Sequence, residues 1–383
     1  MIYENEIRPA QVPVTRVSPD GAELNIAAAT FPRPFHIGLQ YASPARGHWT
    51  IAHSPYLIPQ SHQVYVCCAC CLHGVVLSAD EVPGGAERFS TVTVTNENII
   101  KGNLEEMMID GISYIIDNLP SPPRCVEGFT SCIQHFMHID IHLVYAVLSK
   151  RYPHIDFIDG YMIPTLQRRY SPDILGRRQL MRAVQARPGR KKINFIVNYY
   201  PVDPDTELCT MLRSSGWEIG DFANCRTYEE AIERKAAELK VNIGNIPIAI
   251  DCSATPRPLS LARFLLTHGF RVYAVFLDEI SAVEKDDFYF LQKYRPMLSL
   301  RSTMHYKRRL LGRDDVKKYG TVLAIGQKAA YFTGTNHFVN LIENSGLYGY
   351  TGLLKILDMM AVAVREEKNV PAVIQTKAWG CQA

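Results

Sequence analysis

Alternating and periodic apolar positions divide the chain into short strands and amphipathic helices. Phe89–Thr95 alternates along its length and is rich in β-branched side chains, which predicts a strand. After Asn103, which with Glu106 predicts a capping box, apolar residues recur at the helical period until Pro120. A strand, a helix and a strand are predicted next, at Cys125–Thr130, Ile139–Arg151 and Ile155–Ile158. This β-α-β-α-β order predicts a parallel sheet with helices on both faces.

The same alternation resumes at Ile193 and continues toward the C-terminus. The predicted strands are Ile193–Tyr199, Ile246–Ile250, Arg271–Leu277 and Thr321–Ile325. The predicted helices are Thr206–Ser214, Tyr228–Leu239, Leu259–His268 and Leu353–Val364. Residues 1–60 are rich in proline and poor in periodicity, which predicts an irregular arm.

The fold class predicted from this order is α/β, with three Rossmann-like units built on parallel sheets. A chain of 383 residues is too long for one compact core, so several units are expected. We place them after the arm at residues 61–190, 191–280 and 281–383. The third has few strands and is predicted to be an abbreviated unit with a C-terminal helix.

Composition and charge exclude several classes of protein. The formal net charge of +3 does not indicate a nucleic-acid partner. No run of 18 apolar residues exists, so no membrane span is predicted. The first residues include acidic side chains and a proline in place of an apolar signal segment. We therefore expect a cytoplasmic protein, in a compartment where disulfides are rare.

The cysteines carry the strongest chemical signal. Of the ten in the chain, Cys67, Cys68, Cys70 and Cys71 lie within five residues, on what we predict to be a loop, and Cys132 lies just past a predicted strand. Such a cluster binds soft metal, forms disulfides or lies inert in a core, and a reducing compartment favours metal. Both an iron–sulfur cluster and zinc suit thiolate ligands. Adjacent cysteines cannot all point at one small cluster, so one or two are expected to be core thiols.

Three histidines follow Cys132 at spacings that predict one helical face. They are His135, His138 and His142. Such histidines are either ordinary core or surface residues or groups that tune a metal or move protons.

Motifs for binding nucleotide are absent from the sequence. Neither a Walker A loop nor a G-x-G-x-x-G turn after a strand occurs, and no G-x-S-x-G nucleophile elbow is present. Any ATP-driven step therefore requires another chain. The segment Arg168–Lys192 has nine basic residues against one acidic residue, Asp173. It is either a solvated helix and linker or a docking face for an acidic partner.

Four segments resemble patterns of one known family. Ser61–Cys67 is similar to S-H-G-P-x-G-C, and Cys132–Ile141 to C-P-x-x-x-I-G-D-D-I. Glu97–Met107 is similar to a strand end, glycine-rich turn and helix, and Ser345–Gly352 to S-G-P-Y-H-G-Y-D-G with one deletion. These patterns belong to component 1 of nitrogenase and the nitrogenase-like oxidoreductases, which include enzymes that reduce tetrapyrroles. The resemblance covers approximately residues 35–365.

The resemblance implies a candidate site and partners. It implies an iron–sulfur cluster, of the [4Fe–4S] type, held by Cys67, Cys132 and Cys71, with Cys70, Cys68 or a partner chain as the fourth ligand. It implies a homodimer or a heteromer with a sister component 1 subunit, and electrons supplied by a separate ATP-dependent iron-protein reductase. A substrate is then reduced in the cleft between the units. A non-catalytic scaffold for assembly of a metallocofactor is the alternative function that the family also offers.

Departures from the family patterns bear on the substrate. Cys252 falls where nitrogenase places a cysteine that holds its catalytic cofactor, although a buried core cysteine is an equal reading. Asn340 stands where nitrogenase has the histidine ligand, His337 lies three residues earlier, and Leu39 replaces a first cluster cysteine. Gln63 also replaces a glycine. We therefore predict that Cys252, His337 and Asn340 line a cleft for an organic substrate or a different second metallocofactor, and that dinitrogen is not reduced.

Overall fold

The computed structural model describes a large part of the chain. The described residues are 21–36, 38, 54–58, 60–80, 82, 84–161, 178–179, 192–193, 210, 213–214, 216, 218–219, 226–341, 347 and 349–374. Of the predicted arm, the described part contains one short strand, β1 (Glu23–Asn25). The segments of basic residues and of Leu39 lie almost wholly outside the described residues.

The first unit is a four-stranded parallel sheet with helices between the strands. Its strands run in the order β3-β2-β4-β5, and every neighbouring pair is parallel. The elements, in chain order, are β2 (Ser61–Cys68), α1 (Ala69–Asp80), β3 (Phe89–Val94), α2 (Asn96–Lys101), α3 (Leu104–Asn118), β4 (Cys125–Thr130), α4 (Cys132–Phe136), α5 (Ile141–Arg151) and β5 (Asp156–Tyr161). The predicted strands and helices between residues 89 and 158 are confirmed within a few residues.

The segment that carries the clustered cysteines is a strand and a helix, so the predicted loop is wrong. Val64 and Val66 of β2 pack beneath α3 and α5, whereas Tyr65 and Cys67 pack on the opposite face against α1. Both faces of β2 are therefore buried, which makes it a central strand of a parallel sheet. Cys67 and Cys68 end the run of β-branched and aromatic residues in β2, but the strand remains central in the sheet.

The turn into α3 differs from the prediction because the capping box forms one helix earlier. The Thr95 and Asn98 side chains satisfy the first backbone N–H groups of α2. Asn103 precedes α3, but its side chain accepts no hydrogen bond from that helix. Asn98 and Asn103 are instead joined by a 3.5 Å side-chain hydrogen bond.

A two-stranded parallel pair follows, made of β6 (Lys192–Ile193) and β7 (Glu218–Ile219). Most of the predicted strand Ile193–Tyr199 and helix Thr206–Ser214 lies outside the described residues. Across the part of the chain that is described, no helix is long and apolar enough to cross a membrane.

A six-stranded sheet forms the largest described body. Its order is β1-β10-β9-β8-β11-β12, parallel throughout except for β1. The elements are α6 (Arg226–Ile243), β8 (Pro247–Asp251), α7 (Pro258–Thr267), β9 (Arg271–Phe276), α8 (Lys285–Tyr294), β10 (Ser299–Arg301), α9 (Asp315–Tyr319), β11 (Leu323–Ile325), α10 (Gln327–Thr333), β12 (Phe338–Val339), α11 (Gly349–Ala363) and α12 (Val370–Val373). Strands on both sides of residue 280 share this sheet, so the boundary that we placed there falls inside one body.

The two faces of this sheet are buried in different ways. Aliphatic residues such as Ile250 and Val275 pack on one face with apolar residues of α6, α7, α8 and α11. Small residues such as Ala249 and Ala274 on the other face pack against Phe332 of α10. Because alanines line that face, α10 lies close to the sheet and its first residues reach the carboxyl ends of the strands.

Candidate functional site

The carboxyl edge of the first sheet brings two of the predicted metal ligands together. Val66 of β2 is paired with Thr130 of β4, and each strand ends within two residues of that pair. Gln134 in the first turns of α4 donates a 2.6 Å hydrogen bond to the Val66 carbonyl. Cys67 lies near the end of β2, and Cys132 lies two residues after the end of β4, at the start of α4. Because β2 and β4 are neighbours about 5 Å apart, both cysteines belong to the same edge of the sheet. This is the edge at which open α/β sheets bind ligands.

The clustered thiols divide between the two faces of the sheet. Cys67 is fully buried and packs with Tyr65 and Phe129, whose rings stack with centroids 4.3 Å apart. Cys71 lies partly buried against the same cluster, whereas Cys68 packs on the opposite face. The expectation that adjacent cysteines point in different directions thus follows from strand geometry. The side chain of Cys70 lies outside the described part.

A complete ligand set is not assembled by the described residues. Among them, no group of three or more histidine, cysteine, aspartate or glutamate side chains could hold a metal ion. No disulfide joins any two of the six cysteines whose side chains are described. Cys132 is partly exposed at the edge of the sheet. Two edge thiols would be half of a four-thiolate set, so these two residues alone do not fit a four-thiolate cluster.

The three histidines after Cys132 do not share one helical face. α4 ends at Phe136, and His138 has a left-handed φ of 54° before α5 begins. Because the chain turns there, His135 and His142 lie on different helices, and all three imidazoles are exposed. His142 instead lies near Asp159 of β5. The charge of His142 acts to lower the pKa of Asp159.

Two acidic residues of the first sheet, the buried Glu127 and the partly buried Asp159, were not predicted as site residues from the sequence. Glu127 is 1% exposed, and its Oε2 makes no hydrogen bond to the described residues. Burial, with the nearby Asp159, raises the pKa of Glu127 well above its ordinary value. Burial also raises the pKa of Asp159 to about 6. The signal in the sequence that could have identified Glu127 is its position within a strand that is otherwise predicted to be buried.

The carboxyl edge of the six-stranded sheet holds a second candidate site. Ile250, Ile325 and Val339 are register partners on β8, β11 and β12. The residues that follow them therefore form a row along this edge. The row runs from Asp251 and Cys252 through Gly326 and Gln327 to Asn340. It spans two strand spacings, about 10 Å.

Asp251 joins the loop after β8 to the first turn of α10. Its Oδ1 accepts hydrogen bonds from the backbone N–H groups of Ser253 (2.7 Å) and Ala254 (2.9 Å). Its Oδ2 accepts one of 2.7 Å from the Ala329 N–H. Gly326 lies directly against this carboxylate: an added Cβ would be 2.2 Å from Oδ2. The close contact explains the glycine.

A buried lysine lies beside this aspartate. Lys328 is 5% exposed, and its Nζ donates a 3.3 Å hydrogen bond to Thr303 Oγ1. Burial raises the pKa of Asp251, and the hydrogen bonds from Ser253 and Ala329 together with the Lys328 charge oppose that rise. Asp278 accepts hydrogen bonds from the Thr303 backbone and hydroxyl, which fixes the lysine's partner.

Cys252 belongs to the hydrophobic core of the six-stranded sheet. It is 6% exposed, and its backbone N–H donates to the Phe276 carbonyl at 2.9 Å. Burial raises the pKa of the Cys252 thiol far above its ordinary value, although the Lys328 charge opposes that rise. The residue is therefore a neutral thiol at neutral pH, as the core reading expected.

The remaining predicted cleft residues lie at opposite edges of the sheet. Asn340 follows β12, beside the loop after β11. His337 precedes β12, where its Nδ1 is 3.1 Å from the Ala363 carbonyl and its Nε2 is 3.7 Å from Glu367 Oε1. Cys252 and Asn340 thus share the carboxyl edge, and His337 does not.

An amide pair closes the row at Asn340. Gln327, the first residue of α10, is 2% exposed and donates from Nε2 to Asn340 Oδ1 at 2.9 Å. Its own Oε1 is buried without a hydrogen-bond partner among the described residues. Asn340 was predicted from the sequence but Gln327 was not, because only the fold places the two side by side.

Comparison with known proteins identifies the fold. No protein-family model and no curated protein matches the chain. The structure is similar to that of nitrogenase Cp1 at pH 5, with a TM-score of 0.55, 10% identity, and coverage of 90% of this chain and 94% of that one. For nitrogenase Cp1 at pH 6.5 the TM-score is 0.52 at 10% identity, with 86% and 94% covered. The chain therefore has a nitrogenase component 1-like fold.

Proposed function

From this nitrogenase component 1-like fold, we propose that the chain is an iron–sulfur oxidoreductase subunit. It receives electrons from a separate ATP-dependent iron-protein reductase and reduces a substrate in the cleft at the sheet edges. The fold supports the class of protein. The observation that carries the proposal is the position of Cys67 near the end of β2 and of Cys132 just after β4. These neighbouring strands end at the same edge, where open α/β sheets bind ligands.

The proposed cluster is of the [4Fe–4S] type and takes ligands from two chains. Cys67 and Cys132 are the ligands at the edge, and Cys71 or Cys70 of the same helix is the third candidate. A partner chain, either a second copy or a sister subunit, completes the set, because the described residues contain no group of three ligands. A bound cluster of this kind supplies one-electron transfer. The buried rings of Tyr65 and Phe129 keep water from the Cys67 thiol.

The cleft residues support an organic substrate. An amide such as that of Asn340 is a poor ligand for soft metal but a good hydrogen-bond partner. The Cys252 thiol lies in the core, and His337 lies at the far edge of the sheet. We propose that the chain does not reduce dinitrogen. Asn340 positions the substrate, while a second metallocofactor in the cleft would need ligands other than His337.

A scaffold for assembly of a metallocofactor is the second candidate function. The observation that favours it is the pair of edge thiols, which can hold a metal centre without a full set of ligands from this chain. An enzyme and a scaffold differ in one measurable respect, because only an enzyme turns over reductant in the presence of the ATP-dependent reductase.

Iron analysis of anaerobically purified protein tests the proposal. Wild-type protein is expected to contain iron and acid-labile sulfide, and Cys67→Ser or Cys132→Ser is expected to lower both severalfold. The matched control is Cys125→Ser, because Cys125 is a buried cysteine at the opposite end of β4, about 16 Å from the edge. Stoichiometric zinc without iron, or equal loss in all three variants, would contradict the proposal.

A further inference from the structure

The Gln327–Asn340 pair leaves one acceptor and one donor unused at the carboxyl edge of the six-stranded sheet. Gln327 donates to Asn340, so the Gln327 Oε1 and the Asn340 Nδ2 remain. Among the described residues, the buried Gln327 Oε1 has no hydrogen-bond partner, and Asn340, which carries the Nδ2 donor, is partly exposed. If both amides were rotated by 180°, the free donor and the free acceptor would exchange places. In either orientation the pair therefore offers one of each.

The fold holds these two side chains in place from both strands. The Gly326 N–H donates to the Val339 carbonyl at 3.0 Å, which aligns the residues that follow β11 and β12. The next turn of α10 is anchored by Asp251 through the Ala329 N–H. Gln327 is buried, while Asn340 is partly exposed and opens toward solvent. The pair is thus fixed in position. The Gln327 Oε1 has almost no exposed surface, so a ligand can approach it only past the partly exposed Asn340.

A buried acceptor without a donor destabilises a fold unless something else satisfies it. Replacement of Gln327 by an apolar residue of similar shape would remove that penalty, so packing does not explain the amide. Its place at the edge where open α/β sheets bind ligands indicates that a ligand supplies the missing donor.

We propose that the Gln327–Asn340 pair recognises a carboxamide or lactam group of the substrate. Such a group carries an N–H next to a C=O and therefore matches one acceptor and one donor. A carboxylate would direct a charged oxygen at the Gln327 carbonyl and lacks the required hydrogen. This inference names the substrate class for the cleft of the proposed oxidoreductase and rests on that function.

Ligand binding to the full-length chain tests this recognition without iron, reductase or turnover. The probes are 2-pyrrolidinone, which has the adjacent N–H and C=O, and N-methyl-2-pyrrolidinone, which lacks the N–H. Saturation-transfer NMR is expected to detect saturable binding of the first probe and at least tenfold weaker binding of the second. Equal binding of the two probes, or no binding of 2-pyrrolidinone, would overturn the inference.

Variants locate the binding. Asn340→Asp removes the donor with little change of shape, and Gln327→Met removes the acceptor. Each is expected to weaken 2-pyrrolidinone binding at least tenfold without a loss of thermal stability. Asn336→Asp, the same change at an exposed position near the opposite edge, serves as the control and should bind like the wild type. Unchanged binding in Asn340→Asp refutes the site. Binding of 2-pyrrolidinone is measured without iron, so it does not depend on the iron content of the cysteine variants. The experiment can therefore refute the amide recognition without refuting the iron–sulfur proposal, and the reverse also holds.

Discussion

Gly326→Ala, at the carboxyl edge of the six-stranded sheet, should lower the free energy of unfolding by more than backbone strain alone would. Gly326 has a φ of 107°, a region that is nearly restricted to glycine, and strain of this kind costs about 1 to 3 kcal/mol. The new Cβ would also meet the Asp251 carboxylate at 2.2 Å. Asp251 would have to move away from the backbone donors of Ser253 and Ala329. Loss of buried hydrogen bonds to a charged group adds about 2 to 3 kcal/mol. We therefore expect the free energy of unfolding to fall by about 3 to 6 kcal/mol in total.

Gly320→Ala provides the matched control for this prediction. Gly320 also has a positive φ, of 75°, but an added Cβ meets no atom within 4 Å. In Gly320→Ala the free energy of unfolding should therefore fall only by the cost of backbone strain, about 1 to 3 kcal/mol. The assay is urea denaturation followed by far-ultraviolet circular dichroism, with Asp251→Ala and the double variant Gly326→Ala/Asp251→Ala included. If the clash is the cause, the double variant loses less than the sum of the single variants. Equal losses for the two glycine variants would refute the reasoning.

Two further predictions concern acidic side chains. Burial and the nearby Asp287 charge raise the pKa of Glu284 from 4.5 to about 8, so this group stabilises the fold below pH 4.5 and loses that contribution as pH rises through 8. The free energy of unfolding should therefore fall between pH 5 and pH 8, by up to about 5 kcal/mol. Glu284→Gln should flatten this dependence of stability on pH. A wild-type stability that does not change between pH 5 and pH 8 would contradict the prediction. Glu23 pairs with the buried Arg301, so Glu23→Gln should lower the free energy of unfolding, measured by urea denaturation, by about 3 kcal/mol. Glu279→Gln breaks an exposed ion pair and should lower it by less than about 1 kcal/mol. Equal losses in the two variants would contradict this prediction.

The elements that the sequence predicted well are those whose pattern depends on local geometry. Cys125–Thr130 is a strand with the predicted bounds, because its six residues are all buried between helices on two faces. Ser61–Cys68 is buried in the same way, yet its thiols suggested a metal-binding loop. A cysteine packs as well in a buried strand as in a metal site, so residue type could not decide between them.

The candidate sites depended on contacts between distant segments. The periodicity that placed His135 and His142 on one helix missed the turn at His138, whose left-handed backbone carries no hydrophobic signal. Proximity in sequence likewise grouped His337 with Asn340, although β12 lies between them and separates them to opposite edges. Gln327 was not recognised, because it follows β11 whereas its partner Asn340 follows a different strand, β12.

Electron transfer to the chain tests the central claim most directly. The measurement is low-temperature EPR of the anaerobic full-length protein mixed with an iron-protein-type reductase, with ATP and without it. We predict a reduced iron–sulfur signal that develops only with both reductase and ATP and that is lost in Cys132→Ser but retained in Cys125→Ser. Bound iron that the reductase and ATP leave unreduced would indicate a scaffold, and protein without iron would contradict the account.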